Sequence, residues 1–169
     1  MNILYIHGLD SKLSAEKREI LERFGNVYSP DLNYYEDKNA IDTILKSISK
    51  VEIDIVMGSS MGGFAGFHVA NILGKPALLY NPALRYRSVE QNIPENASNY
   101  TPHMHIVLGQ KDEVVNPRDT MDYLMSNFNP VTHFHLHLVP GMGHNIPVEF
   151  FENEVTSFFK SQSIKKEGS

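Results

Sequence analysis

A chain of 169 residues that is 41% hydrophobic and 21% charged has the length and make-up of one soluble globular domain with a full core. Its 20 Asp and Glu outnumber 15 Lys and Arg, and the formal net charge of −5 argues against a nucleic-acid or anionic-membrane partner. No apolar run approaches the ~18 residues of a membrane span, and the absence of cysteine removes disulfides, a thiol nucleophile and Cys-ligated metal.

Asn2–Ile6 is a continuous apolar run, the mark of a strand buried on both faces. Met1 leads into it without a basic segment, which does not read as a signal peptide, so a cytoplasmic location is the expectation. His7-Gly8-Leu9-Asp10-Ser11 is a loop. Leu13, Ile20, Leu21 and Phe24 share a helical face that stops at Gly25-Asn26, and Val27-Tyr28-Ser29 gives a short strand closed by Pro30. Asn39 is placed to cap a helix with the stripe Ile41, Ile44, Leu45 and Ile48. Ile53–Met57 is a β-branched strand, and a helical pattern runs from Gly63 to about Leu73, ended by Gly74-Lys75-Pro76. Ala77–Tyr80 is a fourth strand, stopped by Asn81-Pro82.

Residues 83–102 show little periodicity, and so long an irregular stretch in a compact domain is usually functional or mobile. Met104–Leu108 is a fifth strand, and Met121, Leu124, Met125 and Phe128 mark a helix behind it. Val131–Val139 is a sixth strand, and Val148, Phe151, Val155, Phe158 and Phe159 give a closing helix. Residues 161–169 are set apart as a polar tail, leaving a single domain over 1–160. This alternation predicts an α/β fold, a mostly parallel sheet of about six strands with helices on both faces. Ligands in such sheets bind beyond the carboxyl ends of the strands, where the strand order reverses. If the first and third strands are neighbours, the His7-Gly8 loop and the turn after the third strand meet in that crevice.

That turn is Gly58-Ser59-Ser60-Met61-Gly62, a match to G-x-S-x-G between a strand and a helix. Ser60 is then the exposed nucleophile of a sharp elbow. Strand and helix pass so close together that the positions two before and two after it must lack a side chain, and Gly58 and Gly62 do. A serine hydroxyl needs a base, and the base needs a carboxylate to hold its tautomer. Gly109-Gln110-Lys111-Asp112-Glu113 follows the fifth strand and Gly141-Met142-Gly143-His144 the sixth. Ser60, Asp112 and His144 therefore stand in the chain order of this elbow type, with Glu113 as a rival acid. The backbone N–H of Met61, directly after the nucleophile, faces a developing oxyanion.

Tyr5-Ile6-His7-Gly8, Gly58 to Gly63, Asn81-Pro82-Ala83-Leu84, Gly109 to Val115 and Gly143-His144 together resemble the small α/β-hydrolases of the YqiA/YcfP type. The resemblance implies a compact hydrolase sheet without the usual first two strands and without a large lid. It also implies a serine esterase, with thioesters as possible substrates and a small acyl ester as the small-molecule partner. It favours Asp112 over Glu113, gives the second oxyanion N–H to Leu9, and assigns His7 a structural role bracing the loop at Gly8. Asp10 is expected to point away from the oxyanion. No cofactor is called for, and a monomer is the default. The competing reading is a hydrolase-fold protein-interaction module with little turnover.

Other residues carry weaker signals. Arg85 and Arg87 are candidates to contact a substrate anion, and Tyr34, Tyr35 and Tyr86 to line an acyl pocket. His133, His135 and His137 alternate on one face of the sixth strand in a spacing that could chelate a metal. A polar outer face, with Phe134, Leu136 and Leu138 packed inward, is the simpler expectation, and no metal is assigned. His68, inside the elbow helix, reads as a packing residue.

Overall fold

The computed structural model describes residues 1–95, 103–127 and 133–167. In chain order its elements are β1 (Asn2–Ile6), α1 (Ala15–Glu22), β2 (Asn26–Tyr28), α2 (Ala40–Ser47), β3 (Ile55–Ser59), α3 (Met61–Leu73) and β4 (Ala77–Tyr80). Then come β5 (Met104–Gly109), α4 (Pro117–Ser126), β6 (Phe134–Val139) and α5 (Val148–Glu167). All strands pair in parallel in the order β2-β1-β3-β4-β5-β6. From β1 the chain steps to β2 on one side and then returns to β3 on the other. The order thus reverses at β1/β3, where Ile6 is in register with Gly58.

The inner strands β1, β3 and β4 read as largely apolar runs because both faces are covered. Leu4, Ile6, Val56, Leu79 and Ile106 pack with α2, α3 and α4. Their neighbours Ile3, Tyr5, Met57, Leu78 and Val107 pack with α1 and α5. Ser14 caps α1 by accepting from Lys17 N at 3.3 Å, and Gly74 ends α3 in the left-handed region at φ 64°.

Several local expectations are revised. The Asn39 side chain does not cap α2; Gln91 does, its Oε1 accepting from Ala40 N at 3.2 Å while its Nε2 donates to Tyr34 O at 3.0 Å. This ties part of the irregular 83–102 stretch to α2, although 96–102 lie outside the described residues. Met125 is 76% exposed, because α4 buries the stripe Pro117, Thr120 and Leu124 instead. Phe128 and Val131 lie outside the described residues. The closing helix continues through Glu167, well into the segment set apart as a tail.

The simpler expectation for β6 holds in part: Phe134 packs against the core and His133 and His135 are exposed. Leu136 and Leu138 are 45% and 44% exposed, whereas His137, on the opposite face, reaches Glu154 of α5. β6 is the last strand of the sheet and α5 packs on its histidine face.

Candidate active site

Ser60 sits between β3 and α3 at φ 56° and ψ −118°, a conformation that costs a non-glycine residue about 1–3 kcal/mol. The surrounding backbone holds it there. Ser60 N donates to Tyr80 O at 2.9 Å, and Ser60 O accepts from Phe64 N and Ala83 N at 3.0 and 3.1 Å. The flanking glycines permit the close packing. A Cβ on Gly58 would run into the carbonyl of Gly62, and one on Gly62 into the carbonyls of Ile6 and His7. The elbow is thus wedged against the end of β1, and the loop after β1 begins beside Ser60.

That loop is held by His7. Its Nε2 accepts from Leu32 N at 3.0 Å, so its Nδ1 carries the proton and donates to Gly8 O at 2.7 Å. Gly8 lies against Ser59 O and Ser60 Cβ. Leu9 follows at the cavity wall, and the Asp10 carboxylate accepts from the Tyr35 hydroxyl at 2.8 Å. Met61 is the first residue of α3, so its N–H has no intrahelical acceptor.

Asp112 and His144 meet across the loops that follow β5 and β6. His144 Nδ1 lies 2.8 Å from Asp112 Oδ2, and the acid's other oxygen accepts from Val114 N and Val115 N at 2.8 Å each. The Asp112 side chain is fully buried, while Glu113 is exposed. A carboxylate only accepts, so Nδ1 carries the imidazole proton and Nε2 keeps its lone pair. Ser60 and His144 line one cavity of about 340 Å³ together with Gly8, Leu9 and Lys17.

Asn81 is a residue that sequence reasoning passed over as a turn former. It is 1% exposed, at φ 42°, directly after β4. Its Oδ1 accepts from Gly109 N at 2.7 Å, and its Nδ2 donates to Gly143 O and His144 O, both at 3.2 Å. One side chain therefore fastens the acid-bearing loop to the histidine-bearing loop. The Asn-Pro signal announced the turn but not this reach.

The two arginines are occupied elsewhere. Arg85 pairs with Asp122 at 3.3 Å; Arg87 donates to Leu84 O at 2.8 Å and lies 4.0 Å from the Phe64 ring centre. Neither is among the residues lining the Ser60 cavity, and Tyr86 is 66% exposed. Tyr34 and Tyr35 instead line an adjoining cavity of about 560 Å³ with His7, Leu9 and Asp10. Two lysines and Asp10 also line the Ser60 cavity; Lys12 pairs with Asp31 at 3.0 Å, which leaves Lys17 as its cation without an ion pair. Its Nζ lies 5.3 Å from the Phe151 ring centre, and no acid among the described residues forms an ion pair with it. Burial lowers its pKa, with nearby Glu16 opposing the shift.

The model of a family described as "Uncharacterised protein family (UPF0227)" matches residues 2–112. None of the curated proteins compared with the chain matches it. Among solved structures, the chain is similar to Paleococcus ferrophilus monoacylglycerol lipase at TM-score 0.73 and 14% identity, covering 95% of this chain and 94% of that one. Arabidopsis thaliana SOBER1 gives 0.70 at 15% identity, covering 95% and 98%. Est1E from Butyrivibrio proteoclasticus gives 0.69 at 16%, covering 96% and 88%. At these identities the likeness establishes the fold, the compact α/β-hydrolase fold.

Proposed function

The chain belongs to the UPF0227 family, and within it we propose a serine hydrolase that cleaves a small carboxylic ester or thioester through an acyl-enzyme. The observation that carries this reading is the 2.8 Å contact between His144 Nδ1 and the buried Asp112, which leaves Nε2 as a base in the cavity that Ser60 lines. In the first half-reaction Ser60 Oγ attacks the acyl carbonyl and its proton passes to His144 Nε2. The carbonyl oxygen becomes an oxyanion, taken by the N–H groups of Met61 and Leu9. Collapse expels the alcohol or thiol, which leaves with the proton from His144. Water then attacks the acyl group, giving its proton to His144 Nε2, and Ser60 recovers that proton as the acid departs. Asp112 stays ionised throughout, orienting the ring and stabilising the imidazolium.

The cavity supports a narrower substrate class. Its volume is at the low end for small-molecule sites, and Lys17 offers an unpaired, partly desolvated cation. A short acyl ester carrying a carboxylate or other anion fits both features.

The test is steady-state hydrolysis of matched short-chain activated esters, one neutral and one ending in a carboxylate. Ser60→Ala and Asp112→Asn should each lower kcat by roughly 10⁴-fold, the latter because an amide at that position supports the wrong tautomer. Lys17→Met should cost the carboxylate ester about tenfold in kcat/KM and spare the neutral one. Unchanged turnover in Ser60→Ala would refute the mechanism, and equal losses on both esters in Lys17→Met would refute the substrate class.

A further inference from the structure

A second constellation lies beneath α5, on residues the acyl-transfer chemistry does not use. His105 of β5, His137 of β6 and Glu154 of α5 each present one ligand atom, all within 4.8 Å of one another. His105 and Glu154 are each only 9% exposed, while the His137 side chain is 39% exposed and opens the cluster to solvent. Glu154 Oε1 lies 2.8 Å from His137 Nδ1, and Oε2 lies 3.2 Å from His105 Nε2. The second contact is off the geometry of a hydrogen bond, so His105 Nε2 is a buried nitrogen with no hydrogen-bond partner. Such a group carries a desolvation cost that a bound cation would remove.

We propose that His105, His137 and Glu154 bind one divalent transition-metal ion, of the Zn²⁺ type, that straps α5 to the sheet across β5 and β6. Two imidazoles and one carboxylate are a donor set for Zn²⁺ and its neighbours, whereas Ca²⁺ and Mg²⁺ take all-oxygen sites. Ligands at ~2.0–2.1 Å from a tetrahedral ion lie about 3.3 Å apart. The two imidazole nitrogens meet different oxygens of Glu154, Oε2 and Oε1, so ligation through one oxygen needs the carboxylate to turn, within a cluster whose ligand atoms already lie within 4.8 Å of one another. The metal takes the Nδ1 lone pair of His137, and the ring proton moves to Nε2. The fourth position is left to water, or to His135, whose ring centre lies 4.3 Å from that of His105.

The cluster is tertiary. His105 is in register with His135, so His105 and His137 meet diagonally across two strands and Glu154 arrives from the helix above. The His133, His135 and His137 row on one strand is therefore not the ligand set, and only His137 of that row belongs to it.

The full chain, stripped of metal by chelation, is titrated at neutral pH with Zn²⁺ by calorimetry and with Co²⁺ by visible absorption. One equivalent should bind with a Kd of about a micromolar or tighter. The Co²⁺ spectrum should be that of a low-coordinate N/O site, and Tm should rise with metal concentration. His137→Ala and Glu154→Gln should each weaken binding at least roughly tenfold while circular dichroism shows both folded. His133→Ala, at an exposed position, should bind as wild type. Absence of stoichiometric binding would overturn the proposal, as would binding that survives in both ligand variants or is lost in His133→Ala.

Discussion

At the scale of single residues, the candidate site depends on which atoms can accept. Asp112 takes two backbone N–H groups on one oxygen and the His144 ring on the other, so its orientation is fixed before any substrate arrives. Asn81 fixes the spacing of the two loops by the opposite logic, donating to two carbonyls and accepting from one amide. Asn81→Asp retains the acceptor for Gly109 N but turns the two donated bonds into contacts between oxygens. The expected outcome is a fall in kcat of about 10–100-fold with little change in KM, because the acid–base pair is displaced while the cavity stays intact. A variant that lost only thermal stability would assign Asn81 to the fold instead. Ser60 and His144 could be singled out as candidates in the sequence because glycine-framed turns after strands carry a strong local signal, whereas only the family resemblance separated Asp112 from Glu113. Asn81 was not legible, because its partners lie far along the chain and an Asn-Pro pair looks the same with or without them.

The elements show the same division. Strands buried on both faces declare themselves as apolar runs, and β1 and β4 match their expected bounds, while β5 runs one residue further to Gly109. The elbow was legible because its glycines answer to a contact, the approach of α3 to the end of β1. Gly62→Ala would drive a methyl group into the carbonyls of Ile6 and His7, both backbone atoms that cannot turn aside. We expect a loss on the order of 3 kcal/mol or more in urea unfolding, together with loss of activity. An alanine tolerated within about 0.5 kcal/mol would mean that β1 and α3 do not meet as described. β6 shows where patterning stops. Alternation of His and Leu says that its two faces differ, but not which one a helix covers. α5 packs on His137 on one face, while Leu136 and Leu138 on the other are left half-exposed.

For the molecule as a whole, two core layers on opposite faces of one parallel sheet were readable from the strand–helix alternation, and the ring of contacts around α3 was not. His68 of α3 lies against the Phe64 and Phe67 rings, and burial, with Arg87 nearby, lowers its pKa to about 4. The unfolded chain binds this proton at an ordinary pKa of about 6.5 and the folded chain does not, so stability falls as pH drops through the window from about 6.5 to about 4. Between pH 7 and pH 5 the loss from this residue should be about 2 kcal/mol. His135, lowered by burial and by His105 and His137, acts in the same direction. Glu154, with its pKa held down, loses its contribution only on further acidification, below about pH 4.5. Urea unfolding of wild type and His68→Phe at the two pH values measures the effect, and an equal slope in both would contradict it.

The central claim is that the fold assembles Ser60 into an activated nucleophile, and covalent labelling addresses it most directly. Wild type, Ser60→Ala and His144→Ala are incubated with a fluorophosphonate and weighed intact. An activated Ser60 gives one adduct on wild type, none on Ser60→Ala, and labelling of His144→Ala slowed by roughly 10³-fold or more. A folded wild-type protein that takes no adduct, or takes one that survives Ser60→Ala, would contradict it.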